Sequence, residues 1–157
     1  MVLALLLACA KDAPDAERWL ELGAGLDSYA TLDASDEVEI VLGPQGGYMI
    51  ALALQAVGVE GGDPLDPTVP DNPRTTFQSY LPSQPDAIGS ITVALGLTRV
   101  DDEVHELVGV WLIFNPELPL EDYFDQEIAV TVDIVDEAGS LHDEETVLAV
   151  WPGDSGL

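Results

Sequence analysis

Gln126-Glu-Ile-Ala-Val-Thr-Val-Asp-Ile-Val135 runs through Asp136 into Glu137-Ala-Gly-Ser140, and Thr146-Val-Leu-Ala-Val-Trp151 follows. In the first run Ile128, Val130, Val132 and Ile134 take every second position, with Glu127, Thr131 and Asp133 near or between them. Successive side chains of a strand point to opposite faces, so this spacing gives one apolar face and one polar face. β-Branched residues favour the same extended geometry. Glu137 to Ser140 holds the glycine that a chain reversal uses. The stretch predicts an antiparallel hairpin that buries Ile128, Val130, Val132 and Ile134 and ends at Trp151.

The same patterns recur upstream. Asp36 to Leu42 sets Val38, Ile40 and Leu42 against Glu37 and Glu39. Gly43-Pro-Gln-Gly-Gly47 is a turn, and Tyr48 to Val57 is apolar on both faces. That run predicts a central strand covered on both sides, or one passing between sheets. Pro64, Pro67, Pro70 and Pro73 make residues 58–73 a long surface loop, because proline donates no backbone hydrogen bond. Arg74 to Leu81, Ile88 to Val100 and Val104 to Phe114 read as further strands. The last has Leu107, Trp111 and Ile113 facing one way, with Trp111 expected in the core. Arg18 to Leu22 reads as a short edge strand, ended by Gly23-Ala-Gly25. No segment shows a helical period. The expectation is seven to eight strands in two antiparallel sheets, each burying one face.

The closing hairpin, Ile134 to Gly139 with Val147 to Val150, resembles the last strands of immunoglobulin-like modules on bacterial surfaces. The resemblance implies an all-β, antiparallel immunoglobulin-like β-sandwich over residues 18–157. The antibody Cys-Trp-Cys core is missing, because Cys9 is the chain's one cysteine. The stretch from Glu21-Leu-Gly-Ala-Gly25 to Gly43-Pro-Gln-Gly-Gly47 is similar to N-terminal segments of predicted bacterial lipoproteins. Neither resemblance implies an activity.

The N-terminus gives an address. Met1-Val-Leu-Ala-Leu-Leu-Leu-Ala-Cys9 is an apolar run ending in small Ala8 and Cys9, and Lys11-Asp-Ala-Pro-Asp15 is polar. Leu6-Leu7-Ala8-Cys9 resembles a bacterial lipobox, where a peptidase cuts before a cysteine that carries diacylglycerol. The resemblance implies a signal peptide over residues 1–8, lipidation at Cys9 and a tether over residues 9–17. It places the protein in the cell envelope, membrane-anchored through lipid on Cys9, on the outer membrane of a Gram-negative bacterium. Two acyl chains hold firmly, at about 0.8 kcal/mol per buried methylene. The apolar run is shorter than the about 20 residues that a membrane-spanning helix needs. The other reading makes residues 1–8 a first strand, with Cys9 a small buried hydrophobe.

Thirty acidic residues face four basic ones, Lys11, Arg18, Arg74 and Arg99, for a net charge of −26. A chain so acidic has no basic footprint for phosphates, so nucleic-acid binding is excluded. At 47% hydrophobic it still has the material for a core. The acidity has three readings: solubility, a salty environment, or attraction of divalent cations or a basic partner.

Gly153-Asp-Ser-Gly156 matches the tetrapeptide around the nucleophile of chymotrypsin-like proteases, and His105 and several aspartates supply the rest of a triad. That nucleophile needs following strands for its oxyanion hole, whereas Leu157 alone follows here. The tetrapeptide is expected to be a polar end, and no enzyme is predicted. His105 and His142 lack the spacing of a zinc site. Calcium is the leading metal, because hard cations take several loop oxygens. Its expected ligands are Asp63, Asp66 and Asp71 in the long loop and Asp101, Asp102 and Glu103 in a turn. The competing reading is a solvated acidic face. Sugar binding would use aromatic side chains, with Tyr123 the best exposed candidate. The expected function is a structural or interaction module of the envelope with an unknown protein or glycan partner. The alternative is a calcium- or carbohydrate-binding module.

Overall fold

The computed structural model of the chain describes residues 17–152. Their alternating segments form eleven strands and one short 3-10 turn, Leu120–Asp122. Sheet I holds β1 (Trp19–Ala24), β2 (Ala30–Thr31), β4 (Val41–Leu42), β5 (Tyr48–Val57), β8 (Thr98–Arg99) and β9 (Val104–Ile113). Its order is β2-β1-β5-β9-β8, with β4 beside the start of β5. Sheet II holds β3 (Glu37–Glu39), β6 (Arg74–Tyr80), β7 (Gly89–Ala94), β10 (Gln126–Asp136) and β11 (Gly139–Val150), in the order β3-β11-β10-β6-β7.

This is the expected all-β sandwich. An immunoglobulin-type sandwich puts its first, second, fifth and fourth strands in one sheet and its third, sixth and seventh in the other. Here β1, β5, β9 and β8 take the first set of places and β6, β10 and β11 the second, with β7 added at an edge. The closing hairpin pairs from Asp136↔Gly139 to Gln126↔Ala149. Leu22, Ile50, Leu52, Leu54 and Leu112 of sheet I and Phe77, Ile128, Val130, Val132 and Val147 of sheet II belong to one buried cluster. Each such side chain contributes about 1.5–3 kcal/mol through its burial.

Three details differ from the sequence reading. The run from Asp36 to Leu42 serves both sheets. Val38 pairs in parallel with Ala149 on β11, whereas Val41 pairs antiparallel with Met49 on β5. Ile40 sits fully buried at the switch, and its N–H donates to Val150 O at 2.8 Å. Sheet II is therefore mixed rather than purely antiparallel. The run from Ile88 to Val100 likewise divides. β7 lies in sheet II and β8 in sheet I, and Leu97 N–H donates to Gly61 O between them. Gly96 at this crossing lies against the backbone of Asp63 and Pro64, where a Cβ has no room. Finally, β11 starts at Gly139, well before Thr146. Its acidic stretch, Asp143 to Glu145, pairs with Val132, Thr131 and Val130.

The acidity of β11 also serves the fold. Asp143 Oδ2 accepts the Leu22 N–H of β1 at 2.6 Å, from one sheet to the other. A carboxylate there satisfies an edge donor and disfavours pairing of a second chain with the same edge.

Candidate functional site

Gly109 decides what sheet I shows to solvent. Leu52 pairs with Val110 and Leu54 with Leu107, so Val108 and Gly109 together oppose Ala53. This is a β-bulge, and Gly109 adopts φ 72°, which glycine reaches without a Cβ clash. The extra residue shifts the alternation of β9. Leu107, Val110, Leu112 and Phe114 are buried, while Trp111 is half-buried and Ile113 is 53% exposed. Trp111, expected in the core, instead stands on the outer face opposite Ala51.

Tyr123 shows the reverse. Expected to be exposed, it is 1% exposed and packs against Phe114 with ring centroids 4.7 Å apart. Burial, with Tyr48 and Glu121 nearby, pushes its phenol up to about 12. Tyr48 meets Tyr123 edge-on at 6.4 Å and Trp151 edge-on at 5.3 Å. These rings close the end of the core beside the 43–47 turn. The 3-10 turn delivers Tyr123 inward, because Tyr123 N–H donates to Leu120 O. A proline-rich connection looks solvent-facing by composition, and the aromatic residue at its end is what anchors it.

Trp111, Met49, Ile113, Pro44, Gln45 and Pro116 line a groove of about 490 Å³, together with Gly43, Gly46 and Gly47. The 43–47 turn forms one wall. Gly43 N–H donates to Gly47 O at 2.7 Å and Gly46 N–H to Gly43 O at 2.9 Å. A Cβ on Gly43 would stand 2.8 Å from Met49 Cε, so glycine keeps the groove open beside that methionine. Among the described residues no ionisable side chain lines it.

Two other hollows are acidic. One of about 570 Å³ is lined by Glu17, Trp19, Val57, Val104 and the Asp101–Glu103 turn. Another of about 560 Å³ is lined by residues including Asp122, Asp125 and Glu127. The outer face of sheet II is polar. Its central row is Thr92, Thr76, Asp133 and His142, with Thr76 and Thr92 hydroxyls 2.9 Å apart and His142 Nδ1 2.9 Å from Asp133 Oδ1.

The six carboxylates expected to hold calcium are all exposed. Asp63 Oδ1 accepts the Leu65 N–H at 2.8 Å. Asp66 Oδ1 accepts the Thr68 hydroxyl at 2.6 Å and its N–H at 2.9 Å, and these bonds hold its carboxyl below the usual range. Asp71 is solvent-facing. Asp101 Oδ1 accepts the Asp102 N–H, and Asp102 Oδ1 lies 3.5 Å from Arg99 Nη2. Glu103 points to solvent beside them. Among the described residues no three His, Asp or Glu side chains converge as a metal ion requires. Buried Asn72 organises the long loop, accepting the Asp63 N–H and donating to Asp66 O. His105 packs against Gly61, and burial, with Arg99 nearby, lowers its pKa. Cys9 and Gly153 to Gly156 lie outside the described residues, as does the tether before Glu17.

The groove and the incoming chain occupy opposite ends of sheet I. Trp19 pairs with Val57 and Val57 with Val104, whereas Met49 pairs with Ile113. Met49 and Val57 lie near opposite ends of β5, separated by about 26 Å at about 3.3 Å per residue. The long loop and the Asp101–Glu103 turn adjoin the Val57–Val104 end, next to where the chain enters. No protein-family model matches the chain, and no curated protein is significantly similar to it.

Proposed function

We propose that the protein is a membrane-tethered lipoprotein of the cell envelope, and that its sandwich presents the Trp111 groove to a partner. The observation that carries this reading is the opposition of the two ends. The chain enters at Trp19, and the groove opens about 26 Å away at Met49 and Ile113. A tether ending at Glu17 would leave that groove facing away from the membrane. A lipid on Cys9 would supply the anchor, and the stretch up to Glu17 the reach. The charge of −26 keeps such a module apart from anionic head groups. Small exposed apolar grooves on otherwise charged domains mark interaction sites.

The test is surface labelling. Gln45→Cys places a thiol at the rim of the groove, and a membrane-impermeant maleimide is applied to intact cells and to cells with a permeabilised outer membrane. Labelling after permeabilisation but not before locates the groove in the periplasm, and labelling before it locates the groove outside. Failure to label the membrane-bound protein in both preparations would contradict presentation of the groove.

A further inference from the structure

We infer that the Trp111 groove binds a neutral glycan, with one pyranose ring stacked on the indole; this rests on the reading of the groove as the interaction face. Size comes first. About 490 Å³ lies within the range of small-ligand sites, whereas a stable protein interface takes about 800 Å² and 20–30 residues from each partner. A second copy of the chain would also bring another charge of −26 against the first.

Charge comes next. The whole protein repels polyanions, and the groove offers a cation no carboxylate among the described residues, because none of those that line it is ionisable. Cationic ligands would be drawn instead to the acidic hollow at Asp101, Asp102 and Glu103. A neutral ligand suits the groove better than it suits either of the two acidic hollows.

Shape completes the argument. Trp111 stands opposite the small Ala51 on the outer face and, half-buried, lines the groove. Met49, Ile113 and Pro44 frame it with apolar edges. Sugar rings carry one C–H-rich face that packs on an aromatic plane, and hydroxyls around the rim that need partners. Gln45 supplies both a donor and an acceptor at that rim. The three glycines of the wall let backbone approach a ligand without side chains between.

The experiment is calorimetric titration of the full chain with soluble neutral hexasaccharides of glucose, mannose and N-acetylglucosamine, and with polygalacturonate as the anionic control. Saturable binding of at least one neutral glycan is expected, and none of the polyanion. Trp111→Ala should weaken that binding about tenfold or more. Ile113→Glu, at an exposed position, keeps the indole but puts a carboxylate in the groove, and it should weaken binding as well. Trp19→Phe, at the other end of sheet I, should leave it unchanged. Absence of binding to every neutral glycan, or equal binding by Trp111→Ala, overturns the inference. Either result leaves the tethered-display reading to the Gln45→Cys labelling, which does not depend on a glycan.

Discussion

Arg18 Nη2 lies 2.8 Å from Asp136 Oδ1, and this ion pair joins the two sheets where the chain enters the sandwich. Arg18 directly precedes β1 of sheet I, and Asp136 ends β10 of sheet II. The carboxylate is 2% exposed and fully partnered. Oδ1 also accepts the Ala138 N–H at 3.0 Å, and Oδ2 accepts the Glu60 N–H at 3.1 Å. Arg18 Nε donates to Gly58 O at 2.9 Å, which adds the start of the long loop to the same junction.

Removing the guanidinium would strand a buried carboxylate. Arg18→Met is expected to cost about 3 kcal/mol, the lower end for breaking a buried pair, because the two amides remain. The measurement is the urea midpoint at constant slope. A loss below about 0.5 kcal/mol would mean that the pair behaves like an exposed one.

Gly109→Ala tests the bulge. The new Cβ would stand 2.8 Å from Leu26 O, at a φ of 72° that alanine rarely adopts. The expected cost is about 1–3 kcal/mol, and Trp111 fluorescence should shift as the outer face is disturbed. An unchanged melting temperature would contradict the bulge.

Thr75 and Ser79 face the core from β6, and neither hydroxyl has a hydrogen-bond partner among the described residues. Thr75→Val keeps the shape and removes the unpaired group. A gain of about 1 kcal/mol is expected in thermal or urea melts. A loss of similar size would show that the hydroxyl is partnered in solution.

Glu145 carries the electrostatic strain of β11. Burial raises its pKa above the ordinary 4.5, with Asp143, Asp33 and Asp36 adding to the rise, against a backbone bond that lowers it. A carboxylate that holds its proton more tightly when folded favours folding in acid. That contribution is lost as pH rises from the unfolded value through the folded one. Glu145→Gln should therefore melt higher than the parent at pH 7, with the difference vanishing below pH 4 and shrinking in high salt. A lower melting temperature at pH 7 would contradict the repulsion.

The hairpin from Gln126 to Val150 was legible because its apolar residues alternate without interruption until the charged stretch. Period alone could not place Ile40, since a run that changes sheets keeps its alternation while its partners change. It misplaced Trp111 because parity counted from Leu107 fails across an inserted residue. The signal was present in the sequence: a glycine inside a strand pattern, Gly109, marks a bulge. Tyr123 was misread from its proline-rich surroundings, although its side chain belongs to the core. The junction at Arg18 and Asp136 unites residues far apart in sequence, and no local pattern announces such a contact. The three glycines of the 43–47 turn were visible as a turn. Only the pairing of Met49 with Ile113 shows that the turn walls a groove.

The central claim is a lipid tether at one end of the sandwich and a groove at the other, and the mass of the mature N-terminus tests it most directly. Protein from a native membrane fraction is digested with trypsin, which cuts after Lys11. The account predicts a lipopeptide Cys9-Ala10-Lys11 carrying diacylglycerol, with residues 1–8 removed. A peptide running uncut through Ala8 and Cys9 with a free thiol would contradict it.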